Sequence, residues 1–245
     1  MWSLLTIGLF AAVGSATPVF PGQNMAVKRS ATSQTSITVG NSTTSQILIG
    51  DISGDTLKTG LLNALTPLCG DFGCSGSSAS IPNIDYSLGG NEGVQTGTLN
   101  IAIVDSHYTG TAMSNAMIQL MVAAMVQSAT GKNCGPVSYT QGCTSKSKRV
   151  VGPSGSDCQT HSINVCSAAS KFGVQIVDPS ENNAILGFMD FTATFAGSTT
   201  PFNCQDFIGL IQGAIGPFSA TFTTILGDIS AGCGDVAELA GSTGN

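Results

Sequence analysis

The sequence predicts an α+β fold, laid out as two small disulfide-bonded α/β sandwich domains, each a small, mainly antiparallel sheet covered by helices. Three observations lead there. Short runs with an apolar residue at every second position are interspersed with runs whose apolar residues recur every third and fourth position, so both the strand and the helix period occur. Eight cysteines divide four and four about residue 149. Only 9% of the 245 residues are charged and the mean hydropathy is +0.27, so much apolar surface has to be buried. Segments of about 100 residues make modest cores, which disulfides reinforce.

The elements follow from local pattern. Ile37/Val39 and Ile47/Ile49 mark two short strands. Asp55 can cap a helix carrying Leu57, Leu61, Leu62 and Leu65 on one face, with Pro67 as its stop. The glycine- and serine-rich stretch from Gly70 to Gly97 reads as a long irregular excursion. Leu99, Ile101 and Ile103 alternate as a strand, and a helix runs from about Thr111 to Ala129. In the second half, Phe172/Val174/Ile176 and Phe191/Ala193/Phe195 mark strands. Cys204, Phe207, Ile208, Ile211 and Ile215 keep helical spacing, with Asn203 as N-cap and Gly216-Pro217 as the stop. The octet starting at Ile47 (ILIGDISG) is echoed from Ile225 (ILGDISAG), a hint of duplication too short to establish one.

The ends and joints of the chain carry the clearest functional signals. Leu4 to Val13 is an apolar run of the length found in secretory signals, followed by the small residues Gly14-Ser15-Ala16. The two arginines, Arg29 and Arg149, each follow a lysine, Lys28 and Lys148. With 6 lysines in 245 positions, chance placement of both has a probability of roughly 0.0006. Both pairs sit in polar, Gly/Ser/Pro-rich surroundings, where an extended backbone can enter the acidic subsites of a furin-like or Kex2-like protease. Residues 1–16 therefore read as a signal peptide, 17–29 as a propeptide, and 30–149 and 150–245 as two secreted products. Asn41-Ser42-Thr43 is a glycosylation sequon near the first new N-terminus, with Asn41 as the acceptor.

The cysteines fall on either side of the second cut. Cys69, Cys74, Cys134 and Cys143 lie in the first product; Cys158, Cys166, Cys204 and Cys233 lie in the second. Each product can close two disulfides of its own, by any of three pairings. The gap between Cys69 and Cys74 is permissible for zinc, but no CxxC pair accompanies it, so neither metal nor cofactor is expected. The absence of adjacent Cys-Cys pairs excludes a hydrophobin. The net charge of −6 would repel nucleic-acid phosphates and excludes that class of partner.

A signal peptide, a propeptide ending in Lys28-Arg29, and two cysteine-bearing α/β segments divided at Lys148-Arg149 resemble the preprotoxins of the virally encoded killer toxins of smut fungi. The resemblance lies in the organisation of the precursor; the two dibasic pairs are its motif-level matches. It implies two released α/β subunits that partner each other and act on the membrane or surface of target cells. The alternative is a host-directed effector or surface interaction protein in which residues 30–149 serve as a prodomain.

Met113, Met117, Met121 and Met125 follow one another every fourth residue and trace a ridge along the helix expected over 111–129. At 1.5 Å per residue that helix would span roughly 28 Å, close to a bilayer's hydrocarbon core. The ridge is the candidate membrane or partner surface. Packing as a core helix on the sheet of Leu99, Ile101 and Ile103 is the expectation for the folded protein.

Enzyme motifs are weak, and no catalytic residue is assigned. Asp105-Ser106-His107 holds the three residue types of a hydrolase triad, but neighbours on a strand point to opposite faces. No Gly-x-Ser-x-Gly occurs, and Gly131-Lys132-Asn133 lacks the rest of a phosphate loop. His107 and His161 are the only histidines.

Overall fold

A computed structural model describes residues 33–40, 46–74, 76, 78–141, 159–195, 208 and 228–234. Most of them are strand, with two α-helices. The first two strands are β1 (Gln34–Gly40) and β2 (Gln46–Gly50), and each buries its alternate apolar residues, Ile37/Val39 and Ile47/Ile49. Helix α1 (Gly54–Leu65) buries Leu57, Leu61 and Leu65, one residue per turn. Its N-cap is Ser53, and Asp55 lies within the first turn, where its charge faces the positive helix end. The capping role expected of Asp55 is thus corrected by two residues. Thr66–Leu68 tighten into a 3-10 turn around Pro67, which has no N–H to continue the helix.

The stretch expected to be irregular contains a strand, β3 (Ser78–Tyr86), paired antiparallel with β4 (Gln95–His107). A one-residue register shift between Ile81 and Ile84 accommodates Pro82 and Asn83, whose φ is 61°. β3 closes one edge of its sheet, where proline and polar residues are tolerated. Helix α2 (Thr111–Ser128) follows, then β5 (Cys134–Gln141), β6 (Gln159–Ala169), β7 (Lys171–Asp178), β8 (Ala184–Thr194) and β9 (Asp228–Gly234). The helix expected over 203–215 lies outside the described residues except for Ile208, which is helical.

Two sheets result. One has six strands in the order β3-β4-β8-β7-β1-β9, antiparallel except for the parallel pair β1–β9; the other has three, in the order β2-β6-β5. Strands from before and after residue 149 are interleaved in both. β1 is flanked by β7 and β9, so Ile37 faces Val174 on one side and Ala231 on the other. β6 lies between β2 and β5. The expectation of two separate sandwiches, each with its own sheet, is therefore not how these strands assemble.

One core joins both sheets and both helices. It combines Ile37, Leu99, Ile101, Phe172, Val174 and Phe191 of the larger sheet with Ile47, Ile49 and Ala168 of the smaller. The Phe172 and Phe191 rings stack at 5.2 Å across the β7–β8 ladder. α2 packs on α1, on β6 of the small sheet and on β7 and β8 of the large one. Contact with both sheets is the physical reason it is apolar nearly all round. Ser128, fully buried at its C-terminal end, donates to Met125 O at 2.7 Å and accepts from Ala169 N at 3.3 Å, tying helix to β6.

The Asp-Ile-Ser shared by the echoed octets takes different structures. Asp51 is a turn residue, and the chain goes on through Ser53 into α1, whereas Asp228-Ile229-Ser230 opens strand β9. The repeat is one of sequence, not of conformation.

Candidate functional site

The methionine ridge is core. Met113 is 6% exposed and Met117, Met121 and Met125 are fully buried. Met113 lies over Gly187, where a Cβ would come within 2.8 Å of its Sδ; glycine leaves the room for it. Among the described residues no helix is long and apolar enough to cross a membrane.

The disulfides do not respect the division at residue 149. Cys69 and Cys74 bond within the first segment, as a four-residue loop. Cys134 and Cys166 bond across the division, in place of the pairing within each product that the four-and-four count suggested. The two face each other in the β5–β6 ladder, which brings residues far apart in the chain within bonding distance. Cys233 is also disulfide-bonded. Cys143, Cys158 and Cys204 lie outside the described residues, as do Lys28, Arg29, Asn41, Lys148 and Arg149. The strands flanking Lys148-Arg149 are described, however. Gln141 of β5 is opposite Gln159 of β6, so residues 142–158 connect adjacent ends of two paired strands.

The Cys69–Cys74 loop is pinned against the end of β4. Ser106 Oγ accepts from Cys74 N at 2.8 Å, Tyr108 Oη donates to Gly70 O at 3.1 Å, and Gly110 N donates to Asp71 O at 2.7 Å. Burial raises the Tyr108 hydroxyl above its ordinary pKa, and Asp71 adds to this against the lowering by Ser114, so it stays a donor. The loop holds Phe72 in solvent at 76% exposure.

Next to this loop two carboxylates meet. β4 and β8 run in one register from Asn100↔Thr194 to Ile103↔Phe191, and Val104 is then an extra residue that shifts it. Asp105 is thereby placed opposite Asp190, where an unbroken ladder would have put it opposite Met189. Asp190 is 4% exposed, and its Oδ1 has no hydrogen-bond partner. It projects from the sheet face opposite to Met189 and Phe191, which lie in the core. Desolvation first, and the Asp105 carboxylate second, push its carboxyl up to about 7.

The triad residue types in this strand are used locally. Asp105 Oδ1 accepts from Ser106 N at 2.8 Å, Ser106 Oγ is the acceptor for the disulfide loop, and the His107 ring lies 6.2 Å from that of Phe188. His161 stacks on Tyr139 across the β5–β6 ladder at 5.7 Å. Among the described residues no group of three or more metal-ligating side chains comes together. Sequence reading missed the carboxylate pair because two aspartates 85 positions apart become neighbours only through strand order and one bulge. Comparison of the chain with protein-family models, curated proteins and solved structures finds no match.

Proposed function

We propose that the chain is a secreted precursor, cut after Lys28-Arg29 and Lys148-Arg149, whose two products act together as a killer-toxin-like protein at the surface of target cells. The observation that carries this reading is the use of both arginines in dibasic pairs downstream of a signal-like segment. The position of the second pair supports it. It lies in the connection between β5 and β6, so a cut there severs no rung of the described ladders. Disulfides suit an oxidising, extracellular setting.

Surface binding is favoured over membrane entry because the methionine helix is part of the shared core. Exposing it would strip it from α1, from β6 of the small sheet and from β7 and β8 of the large one. The prodomain alternative has less support: without residues 30–149, β7 would lose β1, and β6 would lose both its neighbours.

N-terminal sequencing of the secreted protein should find chains beginning at Ser30 and Val150, and the purified pair should inhibit growth of sensitive fungal cells without releasing dye from lipid vesicles. A single uncut product, or no inhibition across a panel of fungi, would refute the reading; full activity in residues 150–245 alone would favour the effector alternative.

A further inference from the structure

We propose that a cut after Arg149 yields not two separable subunits but one covalent two-chain protein, its chains interleaved in both sheets and joined by Cys134–Cys166. The proposal rests on the processing reading above for the place of the cut, and on the described strands for everything else.

Strand order carries the first half of the argument. The segment before the cut supplies β1 to β5, and the segment after it β6 to β9. Taken alone, the described part of the first retains one paired ladder, β3–β4, leaves β1 and β2 without a partner strand, and leaves β5 with only its bridge to Gly90. The second retains β7–β8 and leaves β6 and β9 bare. Isolated strands and two-stranded ribbons are marginal in water, and their open edges template aggregation. Apolar packing adds to this. Met117 and Met121, from the first segment, are buried in the same core as Phe172 and Phe191, from the second. Parted from the second, the first product keeps the contact of α1 with α2 but loses β6, β7 and β8, on which α2 packs; the described part of the second loses the helices that cover its strands.

The disulfide carries the second half. Cys134 begins β5, and its partner Cys166 lies near the end of β6, so the bond staples the hairpin at the end remote from residues 142–158. In the uncut chain it closes a loop. Hydrolysis of the Arg149–Val150 peptide bond by a dibasic-specific protease opens that loop: water supplies one of the two oxygens of the new Arg149 carboxylate and two of the three hydrogens of the new Val150 ammonium, the third being the old peptide N–H. No electron moves, the sulfur–sulfur bond is untouched, and it becomes the link between chains. The link keeps each chain at a high effective concentration for its partner.

The test treats the purified full chain with a Lys-Arg-specific endoprotease. Without reductant the denatured product should run as one band at the mass of the chain from Ser30 onward, and with reductant as two. Its circular-dichroism melting midpoint should not depend on protein concentration before reduction, and should do so after it. Thermolytic and chymotryptic mapping of unreduced protein should recover a peptide pair joining Cys134 to Cys166. Two bands without reductant, loss of the fold on cutting, or Cys134 joined to Cys143 would overturn the proposal. A second variant, with the recognition sequence of another site-specific protease inserted between Arg149 and Val150, separates the two ideas. If the dibasic protease leaves the native chain whole but the inserted site yields the folded, joined pair, the processing reading falls and this inference stands. If the inserted site yields chains that part, this inference falls whatever the native processing.

Discussion

Asp105 and Asp190 oppose each other across the β4–β8 ladder because Val104 is a bulge, and the buried member of the pair has an oxygen with no partner. Two carboxylates so placed cannot both ionise cheaply. Asp190 keeps its proton in the folded protein up to about pH 7, whereas in the unfolded chain a carboxyl loses it near 3.8.

Stability should therefore fall with rising pH. Between those two values the folded state binds the extra proton, so the stabilisation is complete below the unfolded value and lost as pH rises through the folded one. The loss is on the order of 4 kcal/mol. Asp190→Asn, which cannot ionise, should flatten the thermal midpoint between pH 4 and pH 7 relative to the parent. Identical slopes in the two proteins would show that Asp190 does not control the profile.

Met117→Lys should abolish the native fold, since a charge at a fully buried position between the two sheets costs several kcal/mol. Met117→Leu, close in volume, should cost under about 1.5 kcal/mol. Circular dichroism and urea unfolding check both. A lysine variant with parental stability would mean that the helix has access to solvent.

Gly50→Ala should destabilise by about 2–5 kcal/mol. Gly50 has φ +67°, and a Cβ there would meet Asp85 O at 2.5 Å and Ile84 Cγ2 at 2.6 Å. The same contact is held by Asp51 N donating to Asp85 O at 2.9 Å and Asp85 N donating to Asp51 Oδ1 at 3.1 Å. The Asp85 carbonyl is backbone held by the hydrogen bond from Asp51 N and cannot yield as the Ile84 side chain would. A urea midpoint equal to the parent's would count against this packing of β2 on β3.

Ser128→Ala should cost about 1–2 kcal/mol, because it removes the acceptor for Ala169 N in a buried site. Restoring a hydroxyl as Ser128→Thr should recover part of the loss only if the added methyl is accommodated. Hydrogen exchange at Ala169, faster in the alanine variant, reads the same bond directly.

Sequence by itself determined the elements whose apolar residues repeat: β1, β2, β4, β7 and both described helices are legible from Ile37/Val39, Ile47/Ile49, Leu99/Ile101/Ile103, Phe172/Val174/Ile176, the leucines of α1 and the all-round apolar surface of α2. Local pattern suffices there because each element buries one face or all of itself. β3, β5 and β6 were not legible. β3 and β5 are edge strands holding Pro82 and Pro136, and β6 is built largely of Ser, Thr, Ala and Asn, residues that pair through their backbones without advertising a face. Only tertiary structure decided which strands are neighbours. A strand's pattern fixes which face it buries but not whose edge it joins, and that choice belongs to the common core that α2 fills between the sheets. From it follow the two relationships that no local window contains: Cys134 bonded to Cys166 across residue 149, and Asp105 set against Asp190.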